Sequence, residues 1–186
     1  MRKTILINLV LIAGISIGFS QTKNNNNKEV KQEIQTKQEI ADNESLQWFT
    51  DLQKANELAT KTHKPIFGFF TGSDWCGWCR KLQNDVFSKP SFIEWAKKNV
   101  VLLELDFPRA KKLTPELQQQ NAGLQQAFQV NGYPTIWIFN IVKDDATNKF
   151  NLAALGSLGY PSGAIVGKEE ITFLATANAI LNPAKK

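Results

Sequence analysis

Phe69-Phe70-Thr71-Gly72-Ser73-Asp74-Trp75-Cys76-Gly77-Trp78-Cys79 contains both cysteines of the 186-residue chain and joins two patterns of opposite character. Before it stands Pro65-Ile66-Phe67-Gly68-Phe69-Phe70, a short apolar run introduced by proline and ended by Thr71-Gly72-Ser73. Such a run reads as a strand buried on both faces of a parallel or mixed sheet. After it, Leu82, Val86 and Phe87 follow helical spacing until Ser88-Lys89-Pro90 breaks the pattern. The cysteine pair therefore heads a helix that leaves the end of a buried strand.

That position suits thiol-disulfide exchange, which needs one thiolate to attack and a second thiol close enough to resolve the mixed disulfide. Cys76 falls in the first turn, where unpaired backbone N–H groups and the positive end of the helix dipole favour a thiolate. Cys79, one turn further in, is the candidate buried resolving thiol. A bridge between them closes a very small loop and constrains the unfolded chain little, so its purpose is redox rather than structural. A Cys-x-x-Cys also forms half of a zinc site, but four ligands are normally needed and the chain offers no other cysteine and one histidine, His63. No metal and no cofactor are expected. Two alternatives stay open: a binding domain whose disulfide is structural, and a soft-metal carrier using the two thiolates. Trp75 and Trp78 give the pair an apolar rim suited to polypeptide docking.

Working outward, the N-terminus reads Met1-Arg2-Lys3 followed by an apolar run from Ile5 to Phe19, the length of a signal-peptide core and short for a membrane span. Gly18 and Ser20 suit cleavage after Ser20, so residues 1–20 are read as a leader and the mature chain as exported; an uncleaved N-terminal anchor is the alternative. Residues 21–44, with the tract Asn24 to Asn27 and little apolar content, are too polar to bury a core and form a flexible linker. One domain then spans 45–186. Two cysteines are too few for the disulfide framework of an exported domain. The net charge of +5 is spread among acids without an aromatic-interleaved basic stripe, which excludes a nucleic-acid footprint.

Inside the domain, Trp48, Leu52, Ala55, Leu58 and Ala59 predict an amphipathic helix from Leu46 to Lys61, with His63 in the loop after it. Pro90 to Lys98 predicts a short helix, Asn99 to Asp106 a second strand, and Thr114-Pro115 the cap and first turn of a Gln-rich helix whose inward residues are Leu117, Leu124, Ala127 and Phe128. Its glutamines are read as solvent-exposed. Thr135 to Ile141 and Phe150 to Leu155 predict a hairpin across the polar turn Lys143 to Asn148, and Lys168 to Leu181 a last helix stopped by Asn182-Pro183. The fold class is α/β, with a central mixed four-stranded sheet flanked by helices. Trp48, Trp95 and Trp137 fall on apolar faces and are assigned to the core.

Trp75-Cys76-Gly77-Trp78-Cys79 after a buried strand, together with Gly132-Tyr133-Pro134-Thr135 before a later one, resembles the thioredoxin superfamily over about residues 45–182. The resemblance implies a cis Pro134 packed beside the cysteines, with Trp75, Gly77, Trp78, Tyr133 and Pro134 contacting the substrate chain. Thr71-Gly72-Ser73-Asp74-Trp75-Cys76 further resembles secreted, periplasmic proteins of the disulfide-reductase type, which implies substrate proteins with disulfides or thiols, a membrane-embedded electron donor and a monomer. The pair Gly77-Trp78 lacks the histidine of oxidising and isomerising relatives, which favours reduction over oxidation. One departure stands out: many relatives bury an acid in the strand before the motif, where this chain has Ile66-Phe67-Gly68-Phe69-Phe70. Glu104 or Asp106 on the neighbouring strand is a candidate substitute, although both read as a strand-end pair facing solvent. Asp74 is expected at the surface, where its charge would raise the Cys76 pKa.

Overall fold

A computed structural model describes residues 46–144 and 149–183. Residues 1–45, and with them the whole of the expected leader and linker, lie outside the described residues.

The run after Pro65 forms the central strand, β2 (Ile66–Thr71), and all six of its residues are buried. Its alternating side chains feed two cores. Phe67 and Phe69 point into one that also holds Cys76, Cys79, Leu82, Phe92, Trp95 and Phe173. Ile66 and Phe70 point into the other, with Leu103, Leu105, Leu124 and Phe128. Both faces of the sheet are thereby covered, as a strand with no polar alternation requires.

Before β2 come β1 (Trp48–Phe49) and helix α1 (Leu52–Thr62); after it come α2 (Gly77–Leu82), a π-helical turn over Gln83–Phe87, α3 (Pro90–Asn99) and β3 (Val101–Asp106). Helix α4 (Pro115–Ala127), the long hairpin β4 (Thr135–Asp144) and β5 (Lys149–Leu158), and α5 (Glu169–Leu181) complete the order. The five strands lie in the sequence β1-β3-β2-β4-β5. β3 is parallel to β1 and β2, while β4 is antiparallel to β2 and β5. Thr71 ends β2 opposite Asp106 at the end of β3, so the segments leaving these two strands start side by side.

The sheet has one strand more than the four expected. Leu46 to Phe49 does not begin the first helix: Trp48 and Phe49 pair with Leu102 and Leu103 as an edge strand, and Asp51, in extended backbone, accepts from Lys54 N at 3.1 Å to cap α1. A side-chain acceptor at that point ends one element and starts the next. Trp48 still packs on the core, with ring centroids 5.9 Å from Phe69 and 5.5 Å from Phe87. His63 is exposed in left-handed backbone at the end of α1. In α4, Ala127 is exposed and Asn121 is buried in its stead, its Nδ2 donating to the Asp106 carbonyl at 2.9 Å. The glutamines of α4 are not all solvated: Gln120 accepts from Leu52 N at 2.8 Å and donates to the Thr50 carbonyl at 2.9 Å, fixing the β1–α1 corner. The hairpin strands run past their expected ends, with Lys143 and Asp144 in β4, while residues 145–148 are outside the described part.

Phe67 is fully buried and meets the rings of Trp48, Phe87, Phe92, Trp95 and Phe173 at 5.8 to 6.2 Å. Phe67→Ala is expected to lower the free energy of unfolding by about 3 to 5 kcal/mol in urea titration. A loss under about 1 kcal/mol would show that this core is not packed around β2.

Candidate redox site

Thr71 at the end of β2, and Ser73, Asp74 and Trp75 between β2 and α2, are fastened to the end of β3 and the segment that leaves it. The Thr71 carbonyl accepts from Phe107 N at 2.8 Å. Ser73 donates twice to the Asp106 carboxylate, from its backbone N at 2.8 Å and its Oγ at 2.7 Å, and Lys111 Nζ lies 2.9 Å from the same carboxylate. Asp74 reaches the other way and accepts the backbone N–H groups of Arg109 at 3.0 Å and Ala110 at 2.6 Å. The Arg109 amide above all, with those of Ala110 and Lys111, holds the Asp74 carboxyl below its ordinary value against an opposing contribution from burial.

Trp75 Nε1 donates to the Phe107 carbonyl at 2.8 Å, and the indole lies against Gly72, where a Cβ would come within 2.3 Å of the ring. Only glycine allows that approach. Over the indole sits the Arg109 guanidinium, 3.9 Å from the ring centroid. The Tyr133 ring meets it edge-on at 5.6 Å, and Tyr133 is fixed in turn by Gln125 Nε2 donating to its hydroxyl at 2.8 Å. Burial pushes the Tyr133 phenol up. The Tyr133–Pro134 peptide is cis.

Cys76 is the N-cap of α2 and is joined to Cys79 by a disulfide. The Cys76 amide donates to the Gly72 carbonyl at 2.8 Å, and its sulfur accepts from Cys79 N at 3.1 Å. Cys79 is 1% exposed and Cys76 5%. Gly77 and Trp78 are on the outside of the turn, Trp78 at 59% exposure with its ring 5.1 Å from that of Tyr160. Trp75 and Trp78 differ in setting: the first is locked to the 107–109 segment, and the second faces solvent beside Tyr160.

Asp106 and Glu104 do not face solvent as the sequence suggested. Asp106 is 6% exposed because the 107–111 segment folds back over it. Glu104 is half-buried, and burial first, then the Asp106 charge, raises its pKa. Asp74 is exposed, as expected, and its carboxylate is engaged by three backbone amides. Sequence reasoning missed Tyr160, whose hydroxyl donates to Asp85 at 2.7 Å while Lys81 pairs with the same carboxylate. The Lys81 hydrogen bond, followed by that of Tyr160, holds the Asp85 carboxyl down. Its one sequence signal is an aromatic in Gly159-Tyr160-Pro161 after the last strand. Among the described residues, no group of three or more His, Cys, Asp or Glu could hold a metal ion, and no helix is long and apolar enough to cross a membrane.

A family model described as a thioredoxin-like domain matches residues 52–144. The chain is 37% identical over 92 residues to the disulfide bond reductase DsbH of Chlamydia pneumoniae, covering 50% of this chain and 55% of that protein. It is 25% identical over 146 residues to the thioredoxin-related protein DsbJ of the same organism, covering 78% of this chain and 40% of the relative. It therefore spans about half the length of the curated relatives it matches. Among solved structures, a DsbH oxidoreductase superposes with a TM-score of 0.59 at 30% identity, over 74% of this chain and 85% of the other. A thioredoxin from Thermus thermophilus shares the fold, with a TM-score of 0.50 at 20% identity over 74% and 88% of the two chains.

The Asp74 clamp has a sign that can be checked. Its folded-state pKa lies below the ordinary 3.8, so its contribution is complete above that value and is lost as pH falls through the lower, folded one. Asp74→Ala should therefore speed hydrogen exchange at the Arg109 and Ala110 amides by about tenfold or more near neutral pH, with Leu103 and Leu105 of β3 unchanged. Unaltered exchange at those two amides would mean that the carboxylate does not hold the loop.

Proposed function

The chain belongs to the thioredoxin-like family, and from that premise we propose that it is a thiol-disulfide oxidoreductase that reduces disulfides in substrate proteins, with Cys76 as nucleophile and Cys79 as resolving thiol. The observation that carries this reading is the Cys76–Cys79 disulfide at the N-terminal turn of α2, with the Cys79 amide directed at the Cys76 sulfur. The relative named as a disulfide bond reductase favours the reductive direction.

In the reduced state the Cys76 sulfur is the one at the helix start, where the Cys79 N–H and the helix dipole stabilise a thiolate. Cys76 attacks one sulfur of the substrate disulfide, forming a mixed disulfide and expelling the other substrate sulfur as a thiolate, which takes up a proton. Cys79 then gives up its proton and attacks the Cys76 sulfur, expelling the second substrate thiolate. Two electrons and two protons have passed to the substrate, and the Cys76–Cys79 bond is closed. A dithiol donor must reopen it, and a membrane-embedded one is our reading, with the domain exported as a monomer behind a leader of residues 1–20 and a linker of residues 21–44. Trp75, Gly77, Trp78, Tyr133 and the cis Pro134 surround the reacting sulfurs on this reading and contact the substrate chain.

The equilibrium reduction potential tests the direction. Titration in graded thiol-disulfide buffers, followed by tryptophan fluorescence, should place the pair nearer about −270 mV than about −120 mV. Cys79→Ser should accumulate mixed disulfides with protein substrates and Cys76→Ser should form none. A potential near −120 mV would reverse the direction, and the absence of any exchange would leave a structural disulfide.

A further inference from the structure

The charges around the cysteine pair are unevenly satisfied. Asp74 is taken up by backbone amides, Asp106 by Ser73 and Lys111, and Asp85 by Lys81 and Tyr160. Three cations are not: among the described residues Arg109, Arg80 and Lys112 are exposed and no carboxylate lies within ion-pair distance of any of them.

Arg109 is the one whose place is built. Its backbone N–H is held by both oxygens of Asp74, each at 3.0 Å, and its guanidinium rests 3.9 Å from the centre of the Trp75 ring, one residue before Cys76. Trp75 is itself anchored to Phe107, two residues before Arg109. A guanidinium seated over a ring face and unpaired with any carboxylate keeps N–H donors for one, and its fork can match a carboxylate bidentately. Much of the ordering that an exposed arginine loses on forming an ion pair is already accomplished here.

We propose that Arg109 is a specificity-determining residue that binds the carboxylate of an Asp or Glu close to the reacting cysteine of the substrate, so that the preferred substrates are disulfides in acidic polypeptide segments. The inference rests on the oxidoreductase reading. Arg80 and Lys112 add a sequence-independent attraction that salt screens.

The test compares three synthetic peptides with the same disulfide ring, flanked by two glutamates, two glutamines or two lysines, each reacted with the dithiol form of the full chain in stopped flow with tryptophan emission as readout. The acidic peptide should be reduced about fivefold or more faster than the glutamine peptide at low salt, and the lysine peptide slowest. The acidic advantage should shrink in about 0.5 M salt, where screening is within a few ångströms. Arg109→Gln should bring the acidic-to-neutral ratio close to one, Arg109→Lys should restore part of it, and Lys54→Gln, a surface charge loss on α1, should leave the ratio as it is. Equal rates for the acidic and neutral peptides, or a ratio that survives Arg109→Gln, would overturn the acidic preference while leaving the oxidoreductase reading in place. Failure to reduce any of the three would overturn both.

Discussion

Two carboxylates pointing in opposite directions hold the site together. β2 and β3 end side by side, and the chain then leaves them for different destinations, one into α2 and the other toward α4. Asp106, at the end of β3, accepts both donors of Ser73, and Asp74, in the motif, accepts amides from the 109–111 segment. Either link alone would leave a hinge; together they make the two loops one body. The links also answer a need of the backbone itself, because amides in a turn beside a covered sheet end must find acceptors. Trp75 closes the same body through Phe107, so the residue before Cys76 cannot move without the loop that follows β3.

The disulfide is not what keeps this body folded. It spans a sequence separation of 3, and a loop that small removes little entropy from the unfolded chain. Stability comes instead from the aromatic core on the same face of the sheet, where Phe87 and Phe92 stack at 4.6 Å and Phe69 meets Phe87 at 5.1 Å. A bond that contributes little to the fold can be opened and closed without unfolding it. A redox pair on rigid elements needs that separation between scaffold and chemistry.

The parts of the fold that were legible in the sequence are those with local punctuation. Pro65 and Thr71-Gly72-Ser73 bracket β2, Ser88-Lys89-Pro90 marks the break before α3, and Thr114-Pro115 opens α4, with Thr114 Oγ1 facing the Leu117 amide. What was not legible depends on partners far along the chain. β1 has two residues, too few to show a period, and Trp48 and Leu52 happen to stand four apart as on a helix. Gln120 and Gln125 look like surface residues until the corner at Thr50 and the Tyr133 hydroxyl are brought to them. Asp106 reads as a solvated strand end because the residues that cover it come after it and carry no pattern of their own. Asp85 and Tyr160 stand 75 positions apart, and the aromatic in Gly159-Tyr160-Pro161 says nothing of which residue it meets.

The two sides of the cysteine pair differ in kind, and the difference follows from where each neighbour is anchored. On the Trp75 side the indole is pinned from three directions, by Gly72 beneath, Phe107 at its N–H and Tyr133 at its edge, and it presents a cation. On the Trp78 side the indole is exposed and touches Tyr160, whose own hydroxyl is held by Asp85 in the π-helical turn. Cys76 therefore lies between an anchored surface that carries a cation and an exposed aromatic one. The surroundings of the cysteine pair are thus asymmetric, and the asymmetry comes from the anchoring of the two tryptophans as well as from the different burial of the two sulfurs.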